Sequence, residues 1–379
     1  MKVAVLGGGL VGGVIARDLA RDGEFEVTVA DVSEATLARL GGVPGITLVK
    51  ANLADAAALR RVVAGHDFVV GAVPGHMGFA TLREVIGSGK PVVDISFFPE
   101  DALALDALAR ERGVCAVVDC GVAPGCSNLI LGRMESELEP VERFACYVGG
   151  LPVERTWPWE YKAPFSPADV IEEYTRPARY VANGALVTMP ALSEPELVEF
   201  PGVGTLEAFN TDGLRSLIAT VKAPFMVEKT MRYPGHIEKI RVLRESGFFA
   251  TEPVMFGGVA VRPLDLASRL LFPLWQFGPG EEDITAMRVV VEGTSAGRRV
   301  RRTFEMLDRY DRVTKTSSMA RTTGYTCAAG VRLVARGLWG RKGVSPPEFL
   351  GRERACYEFV MADLAARGVA FRETVEPLA

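Results

Sequence analysis

Histidine is nearly absent from this chain, with three in 379 residues. Six cysteines occur, and no two stand in a Cys-x-x-Cys pair. Structural zinc needs four clustered thiolate or imidazole ligands, so no metal is expected. The cysteines read instead as reduced thiols packed as small apolar residues. No apolar run approaches the roughly 18 residues that span a bilayer, which sets a membrane aside. Basic charge is not in excess either: 43 Lys and Arg against 47 Asp and Glu leave a net charge of -4. Nothing in that balance draws nucleic acid. The opening MKVAVLGGG lacks the basic start and long apolar stretch of a secretion signal, so a cytoplasmic location is expected. Repeats and low-complexity segments are also missing.

What is present is a globular composition, 48% apolar and 24% charged, on a chain long enough for two domains. Up to Leu138, short β-rich runs alternate with helical stretches. Strands are predicted at Lys2–Leu6, Glu26–Ala30, Ile46–Lys50, Phe68–Val73, Val92–Ile95 and Cys115–Asp119. Their continuous apolar character predicts a parallel sheet covered on both faces. After Pro140 the texture changes to strands with turn signals and few helices, including a hairpin over 285–306. Helical texture returns near Met319, and Val369–Arg372 is expected to add a strand to the first domain. The predicted class is α/β: a Rossmann doubly wound parallel sheet with a second α+β domain on a mostly antiparallel sheet. The expected units are 1–124, a nucleotide-binding domain; 125–314, a substrate domain; and 315–379, helices returning to the first.

Gly7-Gly8-Gly9-Leu10-Val11-Gly12 matches GxGxxG between a predicted strand and a predicted helix. Gly7 permits the tight turn, Gly9 lets a pyrophosphate approach the backbone, and Gly12 allows close helix–strand packing. The N–H groups of Leu10 and Val11 begin a helix whose N-terminus favours phosphate. Asp31 ends the second strand, 19 residues after Gly12, where a carboxylate can bind the adenosine ribose hydroxyls. Val32 and Ser33 follow it, and neither could neutralise a 2′-phosphate, so NAD is the expected cofactor. Ala72, Val73 and Pro74 close the fourth strand and are small enough to lie against the nucleotide.

Polar segments that look unlike core carry the candidate chemistry. Asp94 and Asp119 each close a strand at the crevice side. Lys162, Arg176, Arg215 and Arg232 could bind a carboxylate, the arginines through a planar fork. His236 is the only histidine in the second domain and a candidate base near neutral pH. Tyr174 and Asp212 stand beside these cations.

At these residues the sequence resembles the saccharopine dehydrogenase-like family, and within it the lysine 6-dehydrogenase branch. The resemblance runs almost end to end through VVGAVPGHMGF, VDISFFPE, DCGVAPGCSN, YKAPFSPADVIEEYTRPAR, DGLRSL, RYPGHIEKIRVLRESGFF and SSMARTTGYT. It implies a Rossmann domain joined to a substrate and dimerisation domain, hence a homodimer or higher homo-oligomer. It further implies NAD-linked oxidation of an amine on a basic amino acid: lysine would yield 2-aminoadipate 6-semialdehyde and ammonia. The saccharopine oxidoreductases commonly carry Asp-Pro-Gly where this chain has Ala123-Pro124-Gly125, a departure that speaks against saccharopine as substrate. The chemistry needs a base to take a proton from the ammonium, for which Asp94, Lys162 and His236 are the candidates. Arg215 is the first choice for the substrate carboxylate and Arg176 the second, with Asp212 and Tyr174 completing the substrate contacts. The alternatives are a saccharopine or related secondary-amine oxidoreductase, and a non-catalytic NAD-binding regulator.

Overall fold

Apolar runs that can be buried on both faces form the centre of the first domain. In the computed structural model, which describes Met1–Ala379, they are β1 (Lys2–Leu6), β2 (Glu26–Asp31), β3 (Ile46–Lys50), β4 (Phe68–Gly71), β5 (Val92–Asp94) and β6 (Cys115–Val117). Between and after them come α1 (Leu10–Arg21), α2 (Glu34–Ala38), α3 (Ala56–Ala64), α4 (Gly75–Gly87), α5 (Asp106–Glu111) and α6 (Cys126–Glu135). The strands are all parallel and ordered β6-β5-β4-β1-β2-β3, so the order reverses between β1 and β4. That switch point opens a crevice at the strands' carboxyl ends.

The second domain begins with β7 (Val141–Pro152), α7 (Pro167–Thr175), β8 (Ala178–Ala182), β9 (Ala185–Met189), β10 (Glu196–Phe200) and β11 (Gly204–Asn210). It continues with α8 (Leu217–Thr220), β12 (Phe225–Arg232), α9 (His236–Glu245), β13 (Val254–Phe256), β14 (Val259–Val261) and α10 (Pro263–Trp275). The long hairpin β15 (Asp283–Ser295) and β16 (Arg298–Arg309) turns at Ala296-Gly297. Then follow α11 (Ser318–Ala335), β17 (Gly343–Ser345), α12 (Pro347–Arg352), α13 (Arg354–Ala365) and β18 (Arg372–Pro377). The large sheet has nine strands, antiparallel except for the β12–β7 pair. Helices α7, α9 and α10 depart from the few-helix expectation for this region.

The tail also departs from expectation. The strand it adds to the first domain is β17, which pairs with β6 and is fully buried. The last strand, β18, pairs with β16 in the second sheet instead. Its sequence explains the choice: Arg-Glu-Thr-Val-Glu-Pro belongs on a solvated edge, where Glu373 meets Arg302.

One apolar cluster of 52 buried residues runs through both domains, so they share a core. At its rim, α11 crosses α1, with Gly324 facing Val14 so closely that a Cβ would lie 3.3 Å from its methyl. Arg332, on α11, is 1% exposed. It pairs with Asp18 (2.8 Å) and Asp22 (2.7 Å) of α1 and with Asp363 (3.4 Å) of α13. Removing one partner of a buried ion network leaves its countercharges stranded. Arg332→Met should therefore lower stability by about 3–5 kcal/mol, read as a lower urea midpoint at unchanged slope. A midpoint within error of the parent would show that the three carboxylates do not need this cation.

Candidate active site

The glycine turn fits a dinucleotide by what each missing side chain permits. Gly7 has φ +102°, and a Cβ there would meet the Ala72 carbonyl oxygen at 2.4 Å. At Gly12 a Cβ would sit 2.0 Å from the Gly7 oxygen. At Gly9 it would meet nothing within 4 Å, because that position faces open space. Gly9 is also the N-cap of α1 and provides no side-chain cap, which leaves the helix N-terminus available to phosphate. Asp31 is held at the β2 end by the Gly8 and Ser33 N–H groups, 2.8 Å each.

From this turn a cavity of about 450 Å³ extends across the crevice to the second sheet. Gly7, Gly9, Leu10, Val11, Gly12, Asp31, Ala72, Val73 and Pro74 all line its nucleotide end. Val32, a cofactor candidate from sequence, is 61% exposed and lies outside the wall. Ser96, Phe97 and the Gly121–Pro124 turn form the middle. The far end is built by α7, the loop after β11, and β12.

That far end is acidic. Asp119, Asp169, Glu172, Glu173, Asp212 and Glu228 line the wall against two arginines, Arg176 and Arg232. Four of the six have a cationic partner: Asp119 with Arg215 (3.1 Å), Asp212 with Arg179 (2.8 Å), Glu173 with Arg232 (2.8 Å) and Glu172 with Arg176 (3.2 Å). Asp169 and Glu228 have hydroxyl partners in place of a cation. Burial raises the Asp169 carboxyl above its ordinary value, opposed by the Ser166 hydroxyl. Burial pushes Glu228 up to about 8, although the Thr211 hydroxyl and the Gly213 N–H donate to it. A carboxyl so placed is protonated near neutrality and becomes a base when a cation arrives.

The sequence-predicted catalytic residues do not meet in this cavity. Asp94 is buried beneath it, against Gly71, and accepts from the Ser96 N–H (2.9 Å) and hydroxyl (3.2 Å). Burial raises its value to about 8, but it does not reach the wall. Lys162 turns away to pair with Glu281. His236 is 1% exposed, and its Nδ1 donates to the Trp159 carbonyl at 2.9 Å. Its Nε2 then accepts from the Tyr174 hydroxyl at 3.0 Å, and that hydroxyl accepts from Arg232 Nε at 3.1 Å. Burial drives the imidazole down to about 3, so it stays neutral and supports Arg232 from behind.

The substrate contacts are likewise rearranged. Arg215 is spent on Asp119 and the Phe98 carbonyl oxygen, behind the wall. Tyr174 is fully buried in the same supporting layer as His236. Asp212 and Arg176 do line the cavity. Arg176 stacks over Phe97 at 5.0 Å, and its Nη1 is buried without a hydrogen-bond partner. Of the two arginines that line the cavity, it is the one with a nitrogen that makes no hydrogen bond. Arg215 looked equivalent in sequence because its partner, Asp119, stands 96 residues away.

Glu228 and Asp169 were missed as candidates. Glu228 had a legible signal: an acid inside the apolar strand Phe-Met-Val-Glu-Lys-Thr-Met-Arg either faces solvent or is buried for a reason.

With this geometry in hand, the chain's likenesses agree with its two-domain build. Residues 3–117 match the saccharopine dehydrogenase NADP binding domain, and residues 121–369 match the saccharopine dehydrogenase C-terminal domain. The saccharopine dehydrogenase (NADP(+), L-glutamate-forming) of Schizosaccharomyces pombe is 23% identical over 99% of both chains. The mitochondrial alpha-aminoadipic semialdehyde synthase of Mus musculus is 25% identical over 66% of this chain and 29% of its own length. The apo saccharopine dehydrogenase (L-Glu forming) of Saccharomyces cerevisiae superposes with a TM-score of 0.81, at 20% identity, over 99% of both chains. Its first domain is thus a nicotinamide-dinucleotide domain, and the chain belongs to the saccharopine dehydrogenase family.

Proposed function

We propose that the protein is an NAD-dependent oxidoreductase that removes the ε-amino group of lysine, yielding the 6-semialdehyde and ammonia. The observation that carries this reading is the acidic far end of the cavity, where four of six carboxyl groups have an arginine partner and Asp169 and Glu228 have none. Free lysine brings two ammonium groups and one carboxylate, and so supplies cations to the two carboxyl groups that lack them. Saccharopine brings three carboxylates, and Arg232 is already engaged by Glu173 and Tyr174. Ala123 adds no acceptor for a secondary ammonium.

Each of the chain's own residues then has a task. Arg176 receives the α-carboxylate on its guanidinium, backed by Phe97. Glu228 takes the proton from the ε-ammonium, because hydride can leave the carbon only when the nitrogen is neutral. A bound nicotinamide dinucleotide supplies the hydride acceptor. The oxidised carbon–nitrogen double bond adds water, the carbon–nitrogen bond breaks, and ammonia departs with a returned proton. Apolar neighbours such as Val148, Phe165 and Met319 limit bulk water in the cavity.

A second reading has its own support. The relatives that match along the whole chain are named for saccharopine and L-glutamate, so oxidation of a secondary amine is the alternative. Product stoichiometry separates the two. The expected result is equal amounts of ammonia and NADH from lysine, with no glutamate. NADH formed only with saccharopine, accompanied by glutamate and no ammonia, would overturn the lysine reading.

The cofactor preference rests on Asp31. No cation pairs with it, and the nearest strand lysine, Lys50, is engaged by Glu34. A fixed carboxylate accepts the ribose hydroxyls and repels a 2′-phosphate. The related nucleotide domain is named for NADP, which makes this a point of divergence from the relatives. Titration should show NAD binding more tightly than NADP, with Asp31→Ser narrowing the gap by about 1–3 kcal/mol. Tighter binding of NADP by the parent protein would contradict the assignment.

A further inference from the structure

Asp94 is a buried acid that its own turn does not require. It is 1% exposed, and no cation pairs with it. Both hydrogen bonds to its side chain come from Ser96: the N–H donates to Oδ1 at 2.9 Å and the hydroxyl to Oδ2 at 3.2 Å. An asparagine would hold the same turn without placing an ionisable group in the core, where forming its charge is costly. The chain also makes room for this pair. A Cβ at Gly71 would collide with Asp94 Oδ2, and one at Gly78 would lie 2.7 Å from the Ser96 Cβ. The other titratable groups around the carboxyl are Asp119, Arg215 and the thiols of Cys120 and Cys327. Burial pushes Asp94 up to about 8 against the Ser96 hydrogen bonds, so it can take up and return a proton in the neutral to alkaline range.

Ser96 connects that carboxyl to the cavity. It lines the middle of the wall, beside Phe97 and the Gly121–Pro124 turn. Strand order shows which part of the chemistry belongs there. Asp31 at the end of β2 marks the adenosine side, and the glycine turn after β1 marks the pyrophosphate. A dinucleotide laid across the switch point carries its nicotinamide toward the β4 and β5 ends, and Ser96 stands two residues past β5. The carbon that gives up hydride must sit against that ring. Once hydride has left, the carbon–nitrogen double bond at that carbon adds water, and the water must lose a proton. Glu228 is not free to accept it, because it already holds the proton of the ammonium.

We infer that Ser96 is a further catalytic residue, whose hydroxyl takes a proton from the attacking water while passing its own to Asp94. The new carbon–oxygen bond forms as the electron pair of the double bond moves to nitrogen. Glu228 then returns its proton to that nitrogen. The carbon–nitrogen bond breaks, and the departing amine carries off the hydroxyl proton as the carbonyl forms. Asp94 gives its proton back through Ser96 to solvent once the products leave. It never touches the substrate: it positions the Ser96 hydroxyl and stores its proton. The step rests on the proposed amine oxidation and is the same for lysine and for saccharopine. In the parent, water adds faster than hydride returns, so kcat/KM registers Glu228 alone.

Stopped-flow absorbance of the NAD-loaded enzyme, mixed with lysine or with saccharopine, separates the two steps. Ser96→Ala and Asp94→Asn should each give a burst of NADH at the parent rate, followed by turnover slowed about 100-fold. Dinucleotide affinity and circular dichroism should stay at the parent values. Infrared difference spectra across a pH titration read the pair without turnover. The carboxyl C=O band of Asp94 should vanish in Asp94→Asn and shift in Ser96→Ala. Steady turnover at the parent rate in either variant would overturn the inference. So would a burst phase slowed as much as turnover, the mark of a structural role. A parent that forms NADH from neither amine would instead overturn the amine-oxidation reading, and this step with it.

Discussion

A carboxyl group buried without a cation is the constraint around which this active site is arranged. Glu228 sits on a central strand of the second sheet, with only hydroxyl and backbone donors to hold it. Taking an isolated carboxylate out of water costs several kcal/mol, so the group keeps its proton and its value rises. Three neighbouring acids have the cationic partner that Glu228 lacks. Arg232 reaches Glu173, Arg179 grips Asp212, and Arg215 holds Asp119. The protein thus neutralises most of the acidic wall and leaves one carboxyl, with Asp169, dependent on what enters the cavity.

Holding those groups in place falls to a layer behind the wall, of which Arg232 alone reaches the cavity. His236, Tyr174 and Arg232 form a directed chain of hydrogen bonds, in which a neutral imidazole orients a hydroxyl and the hydroxyl orients a guanidinium. Arg215 does the corresponding work across the domain boundary. It fixes the Asp119 and Phe98 ends of the first domain to the loop after β11, and its φ of +54° is a strained backbone that this contact sustains. Farther out, Arg332 ties α11 to α1 and α13 and so keeps the nucleotide end and the second sheet in register.

Much of the fold was legible in the sequence because burial on both faces writes itself as continuous apolar runs. The first six strands are found within two residues of their expected bounds, and the glycine turn carries its own geometry. The last strand was misplaced because pairing across 70 residues is a tertiary choice, made between a buried slot for Gly343–Ser345 and a solvated edge for Arg372–Pro377. Helices α7 and α9 announce themselves only through Ser166-Pro167 and Gly235, signals too short to outweigh the strand-like texture around them. Within the site, sequence exposes which residues are charged but not who is paired with whom. Arg215 and Arg176 read alike until Asp119 is seen to claim the first. His236 reads as a base until its two nitrogens are seen to be occupied.

The pH dependence of kcat/KM for lysine, the proposed substrate, tests the role proposed for Glu228 most directly. The base form of Glu228 accumulates as pH rises through about 8, while the substrate ammonium persists to about 10.4. The parent enzyme should therefore rise with unit slope to about pH 8, level off, and fall again near the ammonium value. Glu228→Gln should lose the inflection near pH 8, because only the free amine can then react, and its activity should climb until about pH 10. An unchanged profile in Glu228→Gln would contradict the account and move the base elsewhere on the wall.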